Sequence, residues 1–343
     1  MSQTLHLDAF NPADVEHAAK MLSAGRLVAF ATETVYGLGA NALSAEAVAG
    51  IFTAKQRPSW DPLIVHLAST EQLGLVARVP AELSARIAAL TEAFWPGPLT
   101  LLLPRTTAIP DAVTAGRELV GVRVPAHPAA RALLAAVGLP IAAPSANRFG
   151  HTSPTTAAHV LADLEGRIDA VLDAGPTSIG VESTVLDPAQ TPMVLYRPGA
   201  VTIDQLTAVT GIAVELFVPA EDAQRQQPAS MPSPGVGIRH YAPRARMVLV
   251  EGSVAALLAA LSKAEAAGAL VGVLLPADWE LRGSVVIERW GRWDDPEALA
   301  AELFAGLRAL DDRGVAVILC PLPNAGGLAD AIRDRLQKAA RPS

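Results

Sequence analysis

Hydrophobic and polar positions follow two different patterns along the chain. Up to about residue 216, short apolar runs of strand length alternate irregularly with segments of helical spacing. Leu27 to Ala31 reads as a buried strand, and further strands are predicted at Leu63–Leu67, Leu99–Leu103, Leu119–Val124, Pro140–Ala143, Ala170–Leu172, Ser183–Leu186 and Met193–Tyr196. Asn11-Pro12-Ala13-Asp14 is a helix start, with Asn11 as N-cap and Pro12 at the first helical position. Helices are predicted over Ala45–Thr53, Pro80–Ala93, Pro128–Val137 and Thr155–Leu164. Such a mixture, with no fixed period, predicts an open twisted α/β sheet rather than a repeat array or a strict barrel.

The pattern breaks between Phe217 and Pro234. There Pro219, Pro228, Pro232 and Pro234 punctuate a polar stretch that includes Glu221 to Gln227, the composition of a linker. Beyond it strands and helices alternate regularly: strand Met247–Val250, helix Ser253–Ala267, strands Leu270–Leu275 and Val285–Glu288, helix Pro296–Leu310, strand Val315–Leu319 and helix Leu328–Lys338. That order predicts parallel strands with crossover helices in a small doubly wound domain. The expected organisation is a catalytic domain over 1–210, a linker or lid over 211–244 and a C-terminal domain over 245–343.

Length and composition narrow the function classes. The 343 residues suffice for about two domains, and 51% hydrophobic against 18% charged residues is the make-up of a chain with a buried core, not of a disordered one. A net charge of −7 gives no overall field toward nucleic acid or anionic lipid, so any phosphate binding must be local. Cys320 is the only cysteine, which excludes an internal disulfide and a cysteine-rich zinc site and suits a reducing compartment. The start, Met1 to Asp8, does not read as a secretory signal. The most apolar stretch, Ala132 to Pro144, is interrupted by Gly138 and Pro140 and falls short of the ~20 residues that span a bilayer. A soluble cytoplasmic protein without membrane attachment is expected.

Polar groups collect where strands end. Thr32-Glu33-Thr34-Val35-Tyr36-Gly37-Leu38-Gly39 follows the first buried strand, and reads equally as the lining of a ligand crevice in an open α/β sheet or as an ordinary polar turn. The strand ends six positions before Gly37, so the glycines are not a dinucleotide fingerprint. Lys55 and Arg57 precede two prolines that stiffen the backbone, an arrangement suited to a phosphate clamp, although for two cations by themselves a solvated surface is the commoner outcome. His66 ends a strand, where a satisfied core histidine is the commoner outcome. Arg123 stands near a strand end, where its guanidinium could fork onto a carboxylate or phosphate. Ser145 and Asn147, Ser153 to Thr155 before a helix start, Ser183, and Arg197 repeat the pairing of small polar groups with cations. No nucleophile elbow, P-loop or His-Glu-x-x-His spacing occurs, so positioning and charge stabilisation must carry the chemistry.

Taken together, these segments resemble the threonylcarbamoyl-AMP synthase family, the YrdC-like proteins, in its longer two-domain form. The matching stretches are Thr32 to Leu38, Lys55 to Pro58, Pro62 to His66, Trp95 to Thr100, Arg123 to His127, Pro144 to Asn147, Ser153 to Thr155, Ser183 to Val185 and Arg197 to Gly199. They span about residues 20 to 200, and His240-Tyr241-Ala242-Pro243 resembles the stretch that joins the longer form to its C-terminal domain. Ala31, Gln56 and Asp61 depart from the family's usual proline, glycine and asparagine. Asp61 places a carboxylate where a neutral amide would face nucleotide phosphates, which is accommodated if it binds through magnesium.

The resemblance implies a YrdC-like open twisted mixed sheet with helices, followed by a smaller Rossmann-like parallel α/β domain. It implies a nucleotidyltransferase that makes threonylcarbamoyl-AMP and pyrophosphate from L-threonine, bicarbonate and ATP, for a downstream transferase that modifies adenosine in tRNA. By the same resemblance Thr34, His66, Arg123, Ser145 and Ser183 bind threonine. Lys55, Arg57, Asp61, Asn147, Thr155, Arg197 and Tyr241 bind ATP, Lys55 and Arg57 stabilise charge as pyrophosphate leaves, and Tyr241 covers the nucleotide. Magnesium is expected with ATP, held mainly by the phosphates, with no protein metal cage. Two rivals are an RNA-binding module, disfavoured by the net charge and the lack of basic, aromatic stretches, and carbamoyl transfer of the kind related domains perform inside larger maturation proteins. Stable nucleic-acid binding is not expected.

Overall fold

The computed structural model describes residues 3–218, 230–233, 240–281 and 285–341. Most of the linker expected between Phe217 and Pro234 lies outside these residues. The chain divides into two compact units, the first holding 1–149, 154–178 and 182–237, the second 150–153, 179–181 and 238–343.

In the first unit the described strands are β1 (Leu5–Asp8), β2 (Val28–Ala31), β3 (Tyr36–Asn41), β4 (Ile64–His66), β5 (Leu99–Pro104), β6 (Leu119–Arg123), β7 (Ile141–Ala142), β8 (Ala170–Asp173), β9 (Thr184–Asp187), β10 (Met193–Arg197) and β11 (Val214–Leu216). They form one mixed sheet in the order β1-β8-β2-β3-β7-β4-β6-β5-β9-β10-β11. Alternate residues of β2 enter two separate cores. Ala29 and Ala31 pack with Leu38, Val65, Leu101 and Val122, and with Val48 and Ile51 of helix Ala45–Lys55. Val28 and Phe30 pack with Leu172 and with Leu22 and Leu133 of helices Pro12–Ser23 and Pro128–Val137. Both faces of the sheet are therefore covered, which is why its central strands read as apolar runs without alternation.

Capping fixes the helix starts. Asn11 accepts from the Ala13 N–H, Ser44 from Ala47 and Thr156 from His159. The helix expected from Thr155 thus begins at Ala157. A larger difference concerns Gly37 and Gly39, which lie in strand β3, not in a turn. β3 pairs antiparallel with β2 and β7, and a Cβ on Gly39 would sit 2.9 Å from the Phe30 ring, so the residue is small for packing and not for a phosphate loop.

The second unit carries four parallel strands, β12 (Arg246–Glu251), β13 (Val271–Pro276), β14 (Val286–Trp290) and β15 (Val317–Leu322), in the order β12-β15-β13-β14. Helices Val254–Ala266, Pro296–Asp312 and Ala329–Ala339 accompany them, as the alternation predicted. Trp290 is fully buried and donates its indole N–H to the Leu299 carbonyl at 2.5 Å. The segments 150–153 and 179–181 are parts of this unit. His151 bridges to Ala242, Arg308 donates to the Thr152 carbonyl, and Gly180, at φ +78°, meets the backbone of Ala300 and Ala301 so closely that no side chain fits. Cys320 is buried, and burial pushes its thiol up from the ordinary range.

Candidate functional site

The site of the first unit is built on a locked turn. After β2 the Thr32 hydroxyl donates to the Val35 carbonyl at 2.7 Å and accepts from the N–H groups of Thr34 and Val35 at 3.2 and 3.3 Å. This hydroxyl-centred turn fixes the directions of Glu33 and Thr34. Behind it Tyr36 is buried, and its hydroxyl lies 2.7 Å from the Gly175 carbonyl and 3.0 Å from the Asp173 carboxylate.

Arg123 ends β6 level with His66 at the end of β4, because the two parallel strands pair in that register. Its Nη1 donates to Thr34 Oγ1 at 3.0 Å and its Nη2 lies 2.8 Å from Glu33 Oε1. Both side chains are buried, at 3% and 8% exposure. The Glu33 contact is a charge pair and not a directed hydrogen bond: among the described residues neither Glu33 oxygen, nor Nε or Nη2 of Arg123, has a hydrogen-bond partner. Burial pulls Arg123 below the usual arginine range, Glu33 opposes that, and Arg197 adds repulsion. Burial and then Arg123 take His66 down to about 3, so its imidazole is neutral, with Nδ1 lacking a hydrogen-bond partner among the described residues.

Lys55 and Arg57 follow from the end of helix Ala45–Lys55, where Gln56 adopts the left-handed conformation at φ 54°. Lys55 is fully buried and donates Nζ to the carbonyls of Ser145 and Asn147 at 2.6 and 2.5 Å. Burial, with Arg57 adding, pulls its ammonium well below the ordinary lysine range. Arg57 donates to the carbonyls of Asp61 and Pro62 and pairs with Asp61 Oδ2 at 2.9 Å. The Asp61 carboxyl is pushed up by burial, against the fields of Arg57, Lys55 and Arg197. Arg197 in turn donates Nε to the Ser183 carbonyl at 2.9 Å and Nη2 to its hydroxyl at 3.1 Å, while Thr100 shares a hydrogen bond with Ser183 Oγ at 2.8 Å. Gly199 brings this corner together, because a Cβ there would collide with the backbone N of Thr184.

Thr34, His66 and Arg123 thus share one corner, Ser183 and Arg197 a second, Lys55, Ser145 and Asn147 a third, and Arg57 and Asp61 a fourth. Arg197 is felt by both Arg123 and Asp61, so these corners form one electrostatic cluster. Thr155 is buried beside it, with Oγ1 3.3 Å from His159 Nδ1, and the neighbouring Pro154 carbonyl accepts from the Tyr36 N–H. Tyr241 belongs to the second unit, where its ring stacks on Phe304 at 5.8 Å and lies under the Arg335 guanidinium at 5.4 Å.

The sheet is mixed, as expected, and its strand directions decide how the site groups meet. β2 and β7 run together, whereas β4 and β6 run opposite to them. Groups leaving opposite strand ends still meet because β4 has three residues and β7 two, a span of roughly 10 Å or less that a long arginine crosses. Sequence reasoning gave no role to Thr100 or to Glu33. A hydroxyl inside the apolar run Leu99 to Leu103 was the available signal for the first, and a carboxylate between two threonines after a buried strand for the second.

Comparisons with known proteins agree with this architecture. A family model described as telomere recombination, covering Sua5, YciO and YrdC, matches residues 20–199, and one described as threonylcarbamoyl-AMP synthase, C-terminal domain, matches 201–341. The threonylcarbamoyl-AMP synthase of Pyrococcus abyssi is 42% identical over 331 residues, covering 94% of this chain and 93% of the relative. That of Bacillus subtilis is 43% identical over 332 residues, covering 96% and 94%. The crystal structure of P. abyssi Sua5 complexed with L-threonine superposes with a TM-score of 0.89 at 39% identity, covering 99% of this chain and 98% of that one. Among the described residues no helix is long and apolar enough to cross a membrane.

Proposed function

The chain belongs to the threonylcarbamoyl-AMP synthase family, and from that membership we infer that it converts L-threonine, bicarbonate and ATP into threonylcarbamoyl-AMP and pyrophosphate. The threonine amine and bicarbonate give a carbamate and water. A carbamate oxygen then attacks the α-phosphorus of ATP and pyrophosphate departs. The observation that carries this reading is the buried cluster in which Arg123, Thr34 and His66 are joined through the field of Arg197 to Arg57, Asp61 and Lys55.

In this proposal Arg123 takes the threonine carboxylate, and Thr34, His66, Ser145 and Ser183 surround the rest of the amino acid. Arg57, Asn147, Thr155 and Arg197 attend the nucleotide and offset charge as pyrophosphate leaves. Lys55 contributes its charge and also, through its two carbonyl bonds, holds the segment that carries Ser145 and Asn147. Tyr241 is assigned to ATP on sequence resemblance alone. A water-poor pocket suits the reaction, since both carbamate and mixed anhydride are exposed to hydrolysis.

Magnesium fits as the companion of ATP. Among the described residues no group of three or more His, Cys, Asp or Glu side chains is placed to hold a metal, so phosphate oxygens and water would supply most ligands. Asp61 Oδ1, which accepts no hydrogen bond among the described residues, is the protein group suited to a magnesium-bound water. The ion would neutralise triphosphate charge. The labile product calls for a downstream transferase that moves the threonylcarbamoyl group to tRNA, and a cytoplasmic setting is part of the same proposal.

The test is pyrophosphate release from ATP and magnesium by the full chain, with and without L-threonine and bicarbonate, and with serine and alanine as alternatives. Release requiring both threonine and bicarbonate is expected. Release without them, or none, overturns the assignment.

A further inference from the structure

We propose that Glu33 is the carboxylate that receives the ammonium group of L-threonine and takes its proton before the nitrogen attacks bicarbonate. The inference rests on the synthase reading and adds to it the group that makes the substrate nucleophilic.

An α-amino acid is bound as a zwitterion, so its site needs an anion beside a cation. Arg123 and Glu33 supply both, 2.8 Å apart and buried. The pair is incomplete as it stands. Both Glu33 oxygens, and Nε and Nη2 of Arg123, lack a hydrogen-bond partner among the described residues. Buried charges left in this condition are costly, and a ligand presenting a carboxylate to Arg123 and an ammonium to Glu33 would satisfy both. The Thr32-centred turn holds Glu33 in place before the ligand arrives, which removes an ordering cost.

The neighbouring groups suit the role less: the Lys55 Nζ is held by two carbonyls, Asp61 is paired with Arg57, and His66 is too weak a base, its imidazole having been pulled down to about 3. Among the described residues Arg123 and His127, the N-cap of helix Pro128–Val137, are the groups coupled to the Glu33 charge; Arg197 acts on Arg123 from β10, and Arg123 acts on His66. When the threonine carboxylate shares Arg123, Glu33 loses part of its counter-charge and the ammonium takes that place.

The step balances. One ammonium N–H bond breaks and a carboxyl O–H bond forms on Glu33. The neutral amine then forms a C–N bond to bicarbonate, a C–O bond breaks, and the departing hydroxyl leaves as water with the second amine proton. The product is the carbamate anion.

The experiment compares the wild-type chain with Glu33→Gln and Glu33→Asp, measuring kcat/KM for threonine between pH 6.5 and about 9.5 at saturating ATP, magnesium and bicarbonate. A second assay supplies threonylcarbamoyl-AMP and pyrophosphate and follows ATP formation, a direction that reaches the carbamate without any ammonium deprotonation. For Glu33→Gln a loss of about 100-fold or more near pH 7 is expected, recovering by about tenfold per pH unit as free amine accumulates in solution, whereas wild type stays nearly flat. ATP formation should stay within about threefold. A uniform loss in both assays, with the wild-type pH profile, would mean that Glu33 only positions Arg123, and the proposal falls. Should Glu33→Gln fail to fold, Glu33→Asp decides: a flat profile at reduced rate supports proton acceptance, and a steep one refutes it. If wild type itself makes no threonylcarbamoyl-AMP, the synthase reading has failed and not the role of Glu33 within it.

Discussion

Replacing Arg123 by alanine perturbs stability and substrate binding at once, and the structure gives the size of each effect. The substitution leaves the Glu33 carboxylate buried without its cation and removes the donor to Thr34 Oγ1. Breaking one side of a buried pair costs about 3–5 kcal/mol. Burial already opposes the Arg123 charge and Arg197 repels it, which puts the loss at the lower end, about 3 kcal/mol. For a unit of this size that lowers the melting temperature by roughly 6–12 °C. Adding Glu33→Gln to Arg123→Ala should restore more than half of the lost stability, since it removes the stranded charge. On the synthase reading the threonine KM rises about 100-fold or more, as expected for a lost charge-assisted carboxylate contact, with the ATP KM changed less than about threefold. Thermal melts at pH 7.5 and pyrophosphate-release kinetics measure all of this. A melting change under about 2 °C, additive rather than compensating double variants, or equal shifts in the two KM values would refute the reasoning.

Three other outcomes follow from neighbouring groups. Asp61→Asn should raise the magnesium needed for half-maximal activity about three- to tenfold while leaving the threonine KM alone; an unchanged magnesium titration refutes the contact. Lys55→Met should cut pyrophosphate release by at least about 100-fold and expose the Ser145–Asn147 segment to faster amide exchange, since both carbonyls lose their donor; normal activity would show that neither bond matters. His66 carries a folded value of about 3 against 6.5 unfolded, so the unfolded chain binds the extra proton between them and wild-type stability falls as pH drops through that window. Relative to His66→Gln the loss should approach about 1.4 kcal/mol per pH unit, and parallel stability curves for the two proteins would contradict a buried neutral imidazole.

Much of the fold was written locally. Asn11 before Pro12 places the first helix, and the regular alternation after residue 246 places the four-stranded sheet of the second unit. The central strands were readable as apolar runs because both faces of the sheet are covered. β3 was not readable, since Gly37 and Gly39 carry turn signals, and only the proximity of Phe30 and Ile141 explains why small residues stand in a strand. The edge strand β11, Val214–Leu216, is only three residues long, too short for a period to mark it.

The site divides along the same line. Hydroxyls and cations at the ends of buried strands point to a site for an anionic ligand, and the family resemblance, not residue type, puts Thr34, Lys55, Arg57, His66, Arg123, Ser145, Ser183 and Arg197 forward for it. What they touch was decided by tertiary structure. Short central strands running in opposite directions carry Arg123 to Thr34 and Glu33, and burial makes Lys55 a tether for two carbonyls and keeps His66 neutral. Sequence determines which groups are available within a few residues of one another. Charge state and pairing depend on desolvation and on neighbours about ninety or more positions away, and those exist only once the sheet has closed around them.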